Sequence, residues 1–316
     1  MIAVEGLQKR YGSYRALDGV DFTVPEGEIF GFLGPNGAGK TTTIRILATL
    51  TPPDGGAARI DGIHLGRDPY AVRQVIGFMP DFFGVYDRLT ATEYLDFYAS
   101  CYDLPTRRRW KVTRDLLELV DLAGRAEDQV DSLSRGMKQR LGLARALVHD
   151  PKVLLLDEPA SGLDPGARIE MRELIRELRR MGKTILISSH ILSEVEELCT
   201  WIGIIDNGRM VEVGRQRDVL RRAGAGRRLK IELAADGSQV AGAMAMIERR
   251  SGVLAVQAVD HVLDVAVAEE FADNLLLRDL VAGGVDVWSF APVKTGLSDV
   301  FMQLTAVPAT SSEGSM

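Results

Sequence analysis

Polar and apolar positions alternate over Ile2-Ala3-Val4-Glu5-Gly6-Leu7 and Val20-Asp21-Phe22-Thr23-Val24, the period of half-buried antiparallel strands, and Pro25-Glu26-Gly27 supplies a turn after them. The pattern then changes. Short uninterrupted apolar runs at 28–33, 75–81, 152–156 and 184–189 predict buried strands, the second stopped by Pro80. Ala58 to Gly62 reads as a further short strand with Asp61-Gly62 as a hairpin signal. Between these runs the spacing becomes helical. Ile44, Leu47 and Ala48 predict a helix over Thr41 to Leu50, and spacings of three or four predict helices over Ala91 to Tyr102 and Lys111 to Leu122. Thr106 to Arg109 between the last two reads as a polar connection. Leu141, Leu143, Ala144 and Leu147 predict a helix after Ser134, and another is expected from Ala167 to Met181. Strands interleaved with helices indicate an α/β mixed sheet, preceded by a small antiparallel sheet and interrupted by a helical lobe.

After Asn207-Gly208, a hairpin turn between Trp201–Asp206 and Arg209–Val213, the pattern changes once more. A basic run from Arg215 to Lys230 surrounds Ala223-Gly224-Ala225-Gly226, so residues 1–222 form one expected domain and 223–228 a linker. As a solvated connector this run needs no partner, although it would also suit an acidic surface. Strand 229–234, helix 239–250, strands 254–259 and 262–268, helix 270–282 and strand 285–290 follow, an order that predicts a small α+β ferredoxin-like domain over 229–305. Polar residues over 306–316 predict a disordered tail.

The 316 residues have ample length for a core in each domain, and a mean hydropathy of +0.01 is that of a soluble chain. No run approaches the roughly 18–20 apolar residues of a membrane span, and the N-terminus lacks a signal pattern, so a cytoplasmic chain is expected. Cys101 and Cys199 are too few for a disulfide framework or metal site and are expected to be buried or half-buried. A net charge of −6 argues against a general nucleic-acid footprint.

Against this background the chemistry is concentrated in a few stretches. Gly34-Pro35-Asn36-Gly37-Ala38-Gly39-Lys40-Thr41, followed by Thr42, fills every fixed position of G-x-x-x-x-G-K-[ST] between a predicted strand and a predicted helix. Backbone N–H groups of such a loop and the helix N-terminus cradle phosphates; Lys40 reaches the β- and γ-phosphates and the Thr41 hydroxyl ligates Mg²⁺. A nucleoside triphosphate is the expected ligand. Leu154-Leu155-Leu156-Asp157-Glu158-Pro159 delivers two carboxylates to a strand end, Asp157 for Mg²⁺ and Glu158 to orient and deprotonate water. His190 ends the next buried strand, within reach of a terminal phosphate, whereas His64, His149 and His261 have no such context. Ser134 is equally a helix N-cap or, with Gly136, an anion site; the residues do not choose between the two. Tyr11 beside Gly12 reads on its own as a sheet-edge or turn aromatic.

Tyr11, the phosphate loop, Leu133-Ser134-Arg135-Gly136-Met137, the 154–159 strand, Ser161-Gly162-Leu163-Asp164 and Ser189-His190 occur in the order seen in ATP-binding-cassette ATPases, which the chain resembles over about residues 2 to 220. The resemblance implies a P-loop NTPase cassette in which Tyr11 stacks on adenine, Ser134 and Gly136 contact the γ-phosphate of ATP on a second copy, and Asp164 communicates across that dimer. Two positions depart from the common pattern. Asp81 stands where glutamine usually helps to hold Mg²⁺ and water, and Arg135 replaces the usual first glycine of the signature. Asp81 accepts but cannot donate as an amide does. The bulky Arg135 must point away from the nucleotide or add positive charge near it. Gly296 to Thr305 is similar to the ending of cassettes that serve ABC-2 type exporters, drug-resistance exporters of the daunorubicin kind among them.

The reading is thus an ATPase, with ATP and Mg²⁺ as cofactors, that dimerises on the cytoplasmic face of the membrane beneath a separate integral membrane permease. A soluble cassette ATPase working on nucleic acid or ribosomes is the alternative, disfavoured by a single cassette without sustained heptads. A nucleotide-binding regulator without turnover is disfavoured by the intact catalytic set.

Overall fold

The computed structural model describes residues 1–81, 88–222, 227–234, 239–268, 270–293 and 296–305. Two compact units divide the chain, Met1–Gln216 and a second that begins at Arg217.

The first unit holds two sheets. Strands β1 (Ile2–Tyr11), β2 (Tyr14–Val24), β4 (Gly55–Ile60) and β5 (Ile63–His64) make an antiparallel sheet in the order β2-β1-β4-β5. A six-stranded sheet runs β10-β9-β3-β8-β7-β6, built from β3 (Ile29–Leu33), β6 (Ile76–Met79), β7 (Val153–Asp157), β8 (Thr184–Ser189), β9 (Trp201–Asp206) and β10 (Arg209–Arg215). All its neighbours pair in parallel except β9 and β10, which form the Asn207-Gly208 hairpin. Every residue of β3, β7 and β8 is buried, as strands covered on both faces require. Inward residues of the antiparallel sheet pack against the larger sheet and helix α1 (Lys40–Leu47) in one core, where Phe22 stacks on Phe30 at a centroid distance of 5.3 Å. Parallel pairing brings the C-terminal ends of β3, β6, β7 and β8 to a single edge, so Asp157 ends one strand while Gly34, Asp81 and His190 follow others that end beside it.

The helical lobe comprises α3 (Ala91–Cys101), α4 (Thr106–Leu119) and α5 (Arg135–Leu147). Thr90 and Glu93 close a reciprocal capping box on α3. Thr106 to Arg109 is not the connection expected above but the first turn of α4, entered from Pro105; Arg107 and Arg108 are exposed and Arg109 pairs with Asp96, so no apolar period revealed the turn. Helices α2 (Pro69–Val75) and α7 (Leu192–Leu198) carry too few apolar residues for the period to register, and α6 (Pro165–Arg180) is the expected long helix. Cys199 is buried as expected, whereas Cys101 is exposed, because it ends α3 beyond that helix's buried face.

After α8 (Gln216–Arg222), the second unit is the expected ferredoxin-like sandwich: β11 (Arg227–Leu233), α9 (Val240–Glu248), β12 (Val253–Val259), β13 (Val262–Val267), α10 (Asp273–Ala282) and β14 (Val287–Val293), with antiparallel order β12-β13-β11-β14. Leu229, Ile231 and Leu233 alternate inward with Leu263, Val265 and Val267 against Ala243, Ile247, Leu276 and Leu280. The alternate residues face out, where Arg228 pairs with Asp264 at 2.8 Å. Helix α11 (Leu297–Thr305) is the last described element, and the expected tail 306–316 lies outside the described residues. Among the described residues no helix is long and apolar enough to cross a membrane.

Candidate active site

The loop between β3 and α1 is shaped by close approach. A Cβ on Gly34 would lie 2.3 Å from the Ile205 carbonyl oxygen, and one on Gly39 would lie 2.7 Å from Leu17 Cδ2 and 2.8 Å from the Ala16 oxygen. Gly39 also takes φ +113° as the N-cap of α1, a conformation that side chains rarely adopt. With no side chain capping it, the N-terminus of α1 keeps its backbone donors for an anion. Pro35 accepts from the Ala38 N–H at 3.2 Å, and Tyr14, which the sequence did not single out, donates its hydroxyl to the Gly37 oxygen at 2.9 Å. The loop is braced from inside and from the β1–β2 hairpin.

Lys40 is buried beneath this loop, its Nζ donating to the Gly34 oxygen at 2.7 Å and the Pro35 oxygen at 3.1 Å. Burial lowers its pKa from the ordinary lysine value, and Glu158 and Asp157 pull it back up. Glu158 Oε1 lies 3.9 Å from Nζ. Its other oxygen is 2.7 Å from His190 Nδ1, so Glu158 sits between a lysine and an imidazole.

Asp157 is 2% exposed and accepts on Oδ1 from Ser188 Oγ at 2.6 Å and Thr41 Oγ1 at 3.2 Å. Burial raises its pKa from the ordinary aspartate value, the two hydroxyls oppose that rise, and Glu158 and Asp81 add to it. Ser188 Oγ also accepts the Glu158 N–H at 3.0 Å. One buried serine therefore fixes both acidic residues, and it was missed because a serine at the end of an apolar run carries no motif. Glu158 itself has φ +50°, a backbone conformation uncommon for a residue with a side chain, at the point where β7 gives way to a turn.

These groups surround a cavity of about 380 Å³ lined by Tyr11, Tyr14, Asn36, Gly37, Gly39, Lys40, Thr41, Thr42, Asp81, Glu158, Ser161 and His190. Tyr11, about half exposed at the end of β1, contributes an aromatic ring to its rim. Ser134, Gly136 and Asp164 do not line it. Ser134 caps α5, its Oγ accepting from the Met137 N–H at 3.3 Å, and Asp164 caps α6, accepting from the Ala167 N–H at 3.0 Å. Gly136 leaves room for the start of α6, since a Cβ there would be 3.1 Å from the Ala167 methyl.

The donor set suits Mg²⁺. Among the described residues no group of three His, Cys, Asp or Glu side chains is arranged to enclose a metal, and Mg²⁺ is commonly held by one or two protein oxygens together with substrate phosphates and water. The Thr41 hydroxyl and Asp157, beside two further carboxylates whose charge raises the Asp157 pKa, form such a partial set of hard oxygen ligands.

Comparison with known proteins agrees with this architecture. A family model described as ABC transporter matches residues 17–161, which run from β2 through the phosphate loop and the helical lobe to Ser161. Linearmycin resistance ATP-binding protein LnrL of Bacillus subtilis (strain 168) is 34% identical over 96% of this chain and 98% of its own length. The chain belongs to the ABC transporter ATP-binding family. Other relatives of this cassette include daunorubicin resistance ATP-binding protein DrrA3 of Streptomyces coeruleorubidus, 36% identical over 96% of this chain and 95% of that protein. Nod factor export ATP-binding protein I of Ralstonia nicotianae (strain ATCC BAA-1114 / GMI1000) is 41% identical over 70% of the chain and 68% of that protein. Among solved structures, an ATP binding subunit of an ABC transporter covers 71% of the cassette chain and 93% of its own at TM-score 0.65 and 33% identity. A dimeric post-hydrolysis state of the ATP-binding cassette MJ0796 bound to ADP and Pi covers 68% and 98% at TM-score 0.62 and 26% identity. ATP is the nucleotide that this cassette binds and hydrolyses.

Proposed function

We propose that two copies of this cassette close on two ATP molecules and drive an integral membrane permease supplied by another chain, as the motor of an ABC-2 type exporter held at the cytoplasmic face of the membrane. The observation that carries the two-copy reading is spatial. Lys40, Thr41, Glu158 and His190 line one cavity, with Asp157 buried behind them on the Thr41 hydroxyl, while Ser134 and Gly136 stand at a capped helix N-terminus outside it. A site that uses both sets needs a second chain.

Within each site, Tyr11 stacks on the adenine and the Gly34–Thr42 loop holds the phosphates on its backbone donors. Lys40 leaves its two carbonyl partners for the β- and γ-phosphates, and its charge is strengthened there by low local dielectric. Mg²⁺, held by Thr41, Asp157 and Asp81, supplies neutralisation of phosphate charge when bound. Glu158 orients water against the γ-phosphorus and accepts its proton, and His190 holds the Glu158 carboxylate and faces the same phosphate. Ser134 and Gly136 of the second copy close over the γ-phosphate, and Asp164 lies where the two copies meet. Loss of the γ-phosphate removes that bridge and the pair reopens.

Export is supported by relatives named for linearmycin resistance, daunorubicin resistance and Nod factor export, two of which match over nearly the whole chain, second unit included. To test the partnership, native membranes are solubilised, the chain is purified by a tag and its companions identified. A multi-span protein in near-equal amount is expected. Recovery from the soluble fraction alone, with ribosomes or nucleic acid attached, would overturn the transport reading while leaving the ATP site intact.

A further inference from the structure

Arg135 opens α5, and its side chain, though exposed, folds back onto the turn that follows Glu158. Its Nη2 donates to the Ser161 carbonyl oxygen at 2.9 Å. The guanidinium lies over Gly162, where a Cβ would fall 2.3 Å from Cζ, 2.4 Å from Nη2 and 2.6 Å from Nη1. Only a residue without a side chain provides that seat, and Gly162 adopts it with φ +67°. Ser161 is bound in the other direction as well, because its N–H donates to the Glu158 carbonyl oxygen at 3.0 Å. It also lines the nucleotide cavity. Two hydrogen bonds, on the N–H and the carbonyl of the single residue Ser161, thus lead from the Glu158 backbone to the first residue of α5, flanked by Ser134 and Gly136.

We propose that Arg135 is a positioning residue that couples the two nucleotide sites: it ties the end of α5 offered to a second copy's ATP to the turn after Glu158, so that the state of one cavity sets the placement of the groups that close the other. This rests on the two-copy reading. The planar guanidinium suits the role because it spans the Ser161 oxygen and the flat face of Gly162 together, whereas an ammonium reaches the oxygen alone. No contact with the chain's own nucleotide is required, so coupling and binding are separable.

The test measures ATP hydrolysis against ATP concentration, with ATP affinity titrated separately, for the wild type, Arg135→Ala, Arg135→Lys and Gly162→Ala. The wild type is expected to show a Hill coefficient above one. Arg135→Ala should bring it to one and lower turnover about fivefold, in the range that one hydrogen bond is worth, with ATP affinity changed less than about twofold. Lysine should restore part of the cooperativity, and Gly162→Ala, which fills the seat and leaves the arginine in place, should reproduce the alanine result. Wild-type cooperativity in Arg135→Ala, when Glu158→Gln still dimerises with ATP, would overturn the coupling role alone. A Glu158→Gln chain that stays monomeric with ATP would remove the two-copy reading, and the coupling with it.

Discussion

Ser188 has the most to lose from a small change, because its single hydroxyl donates to Asp157 and accepts from the Glu158 N–H. A hydrogen bond to a charged group is worth about 1.5–3 kcal/mol, so Ser188→Ala should lower turnover by roughly tenfold or more and raise the Mg²⁺ concentration needed for half-maximal rate; a Mg²⁺ titration of ATPase activity reads both. Asp157 carries a second prediction. Its pKa is raised in the folded chain by burial, so the folded state holds the proton more tightly than the unfolded chain does. Its contribution to stability therefore falls as pH rises from the ordinary aspartate range through the folded value. Asp157→Asn keeps an acceptor for Ser188 and Thr41 but no charge. Without nucleotide or metal it should melt above the wild type near neutral pH, by about 2–4 °C for each kcal/mol recovered, and the gap should close on acidification; thermal melts across the pH range check it. Lys40, Thr41, Asp157, Glu158 and His190 were all legible as candidates in the sequence, because phosphate and Mg²⁺ chemistry fixes their types and spacing. Ser188, Tyr14 and Ser161 were not, since each acts through a hydrogen bond that appears only when distant segments meet.

Elements were legible where burial is total. The runs that became β3, β7 and β8 have no polar side to confuse the period, and they deliver the site residues because they pair in parallel. Leu155 at the centre of β7 is fully buried, so Leu155→Ala should cost about 2–5 kcal/mol in urea unfolding. The phosphate loop is less forgiving of an added methyl than of a lost one. Gly39→Ala meets Leu17 and the Ala16 carbonyl as well as an unfavourable φ, and it should abolish ATP binding in an equilibrium titration. Elements were misread where the informative residues face solvent. The first turn of α4 is written in arginines, and α2 is announced only by Asp68, whose carboxylate accepts from the Ala71 N–H at 2.9 Å, and by Pro69 after it. Capping chemistry held that signal; periodicity did not.

At the scale of the whole molecule, the proposed catalytic groups lie in the cassette, and among the described residues the inward side chains of the second unit build a core of their own. The sandwich was legible because β11 and β13 alternate strictly, while nothing in its pattern names a ligand. The proposed assembly was suggested in the sequence only by resemblance, since Ser134 and Gly136 serve their own helix and their own packing in a single chain. The central claim is that Glu158 hydrolyses ATP in a site completed by a second copy, and the most direct measurement is the mass of Glu158→Gln with and without Mg²⁺ and ATP, alongside its turnover. Turnover at least about a hundredfold below wild type, as loss of a general base gives, together with a doubling of mass that requires ATP, is the expected result. Hydrolysis at the wild-type rate, or a chain that remains monomeric when saturated with ATP, would contradict the account.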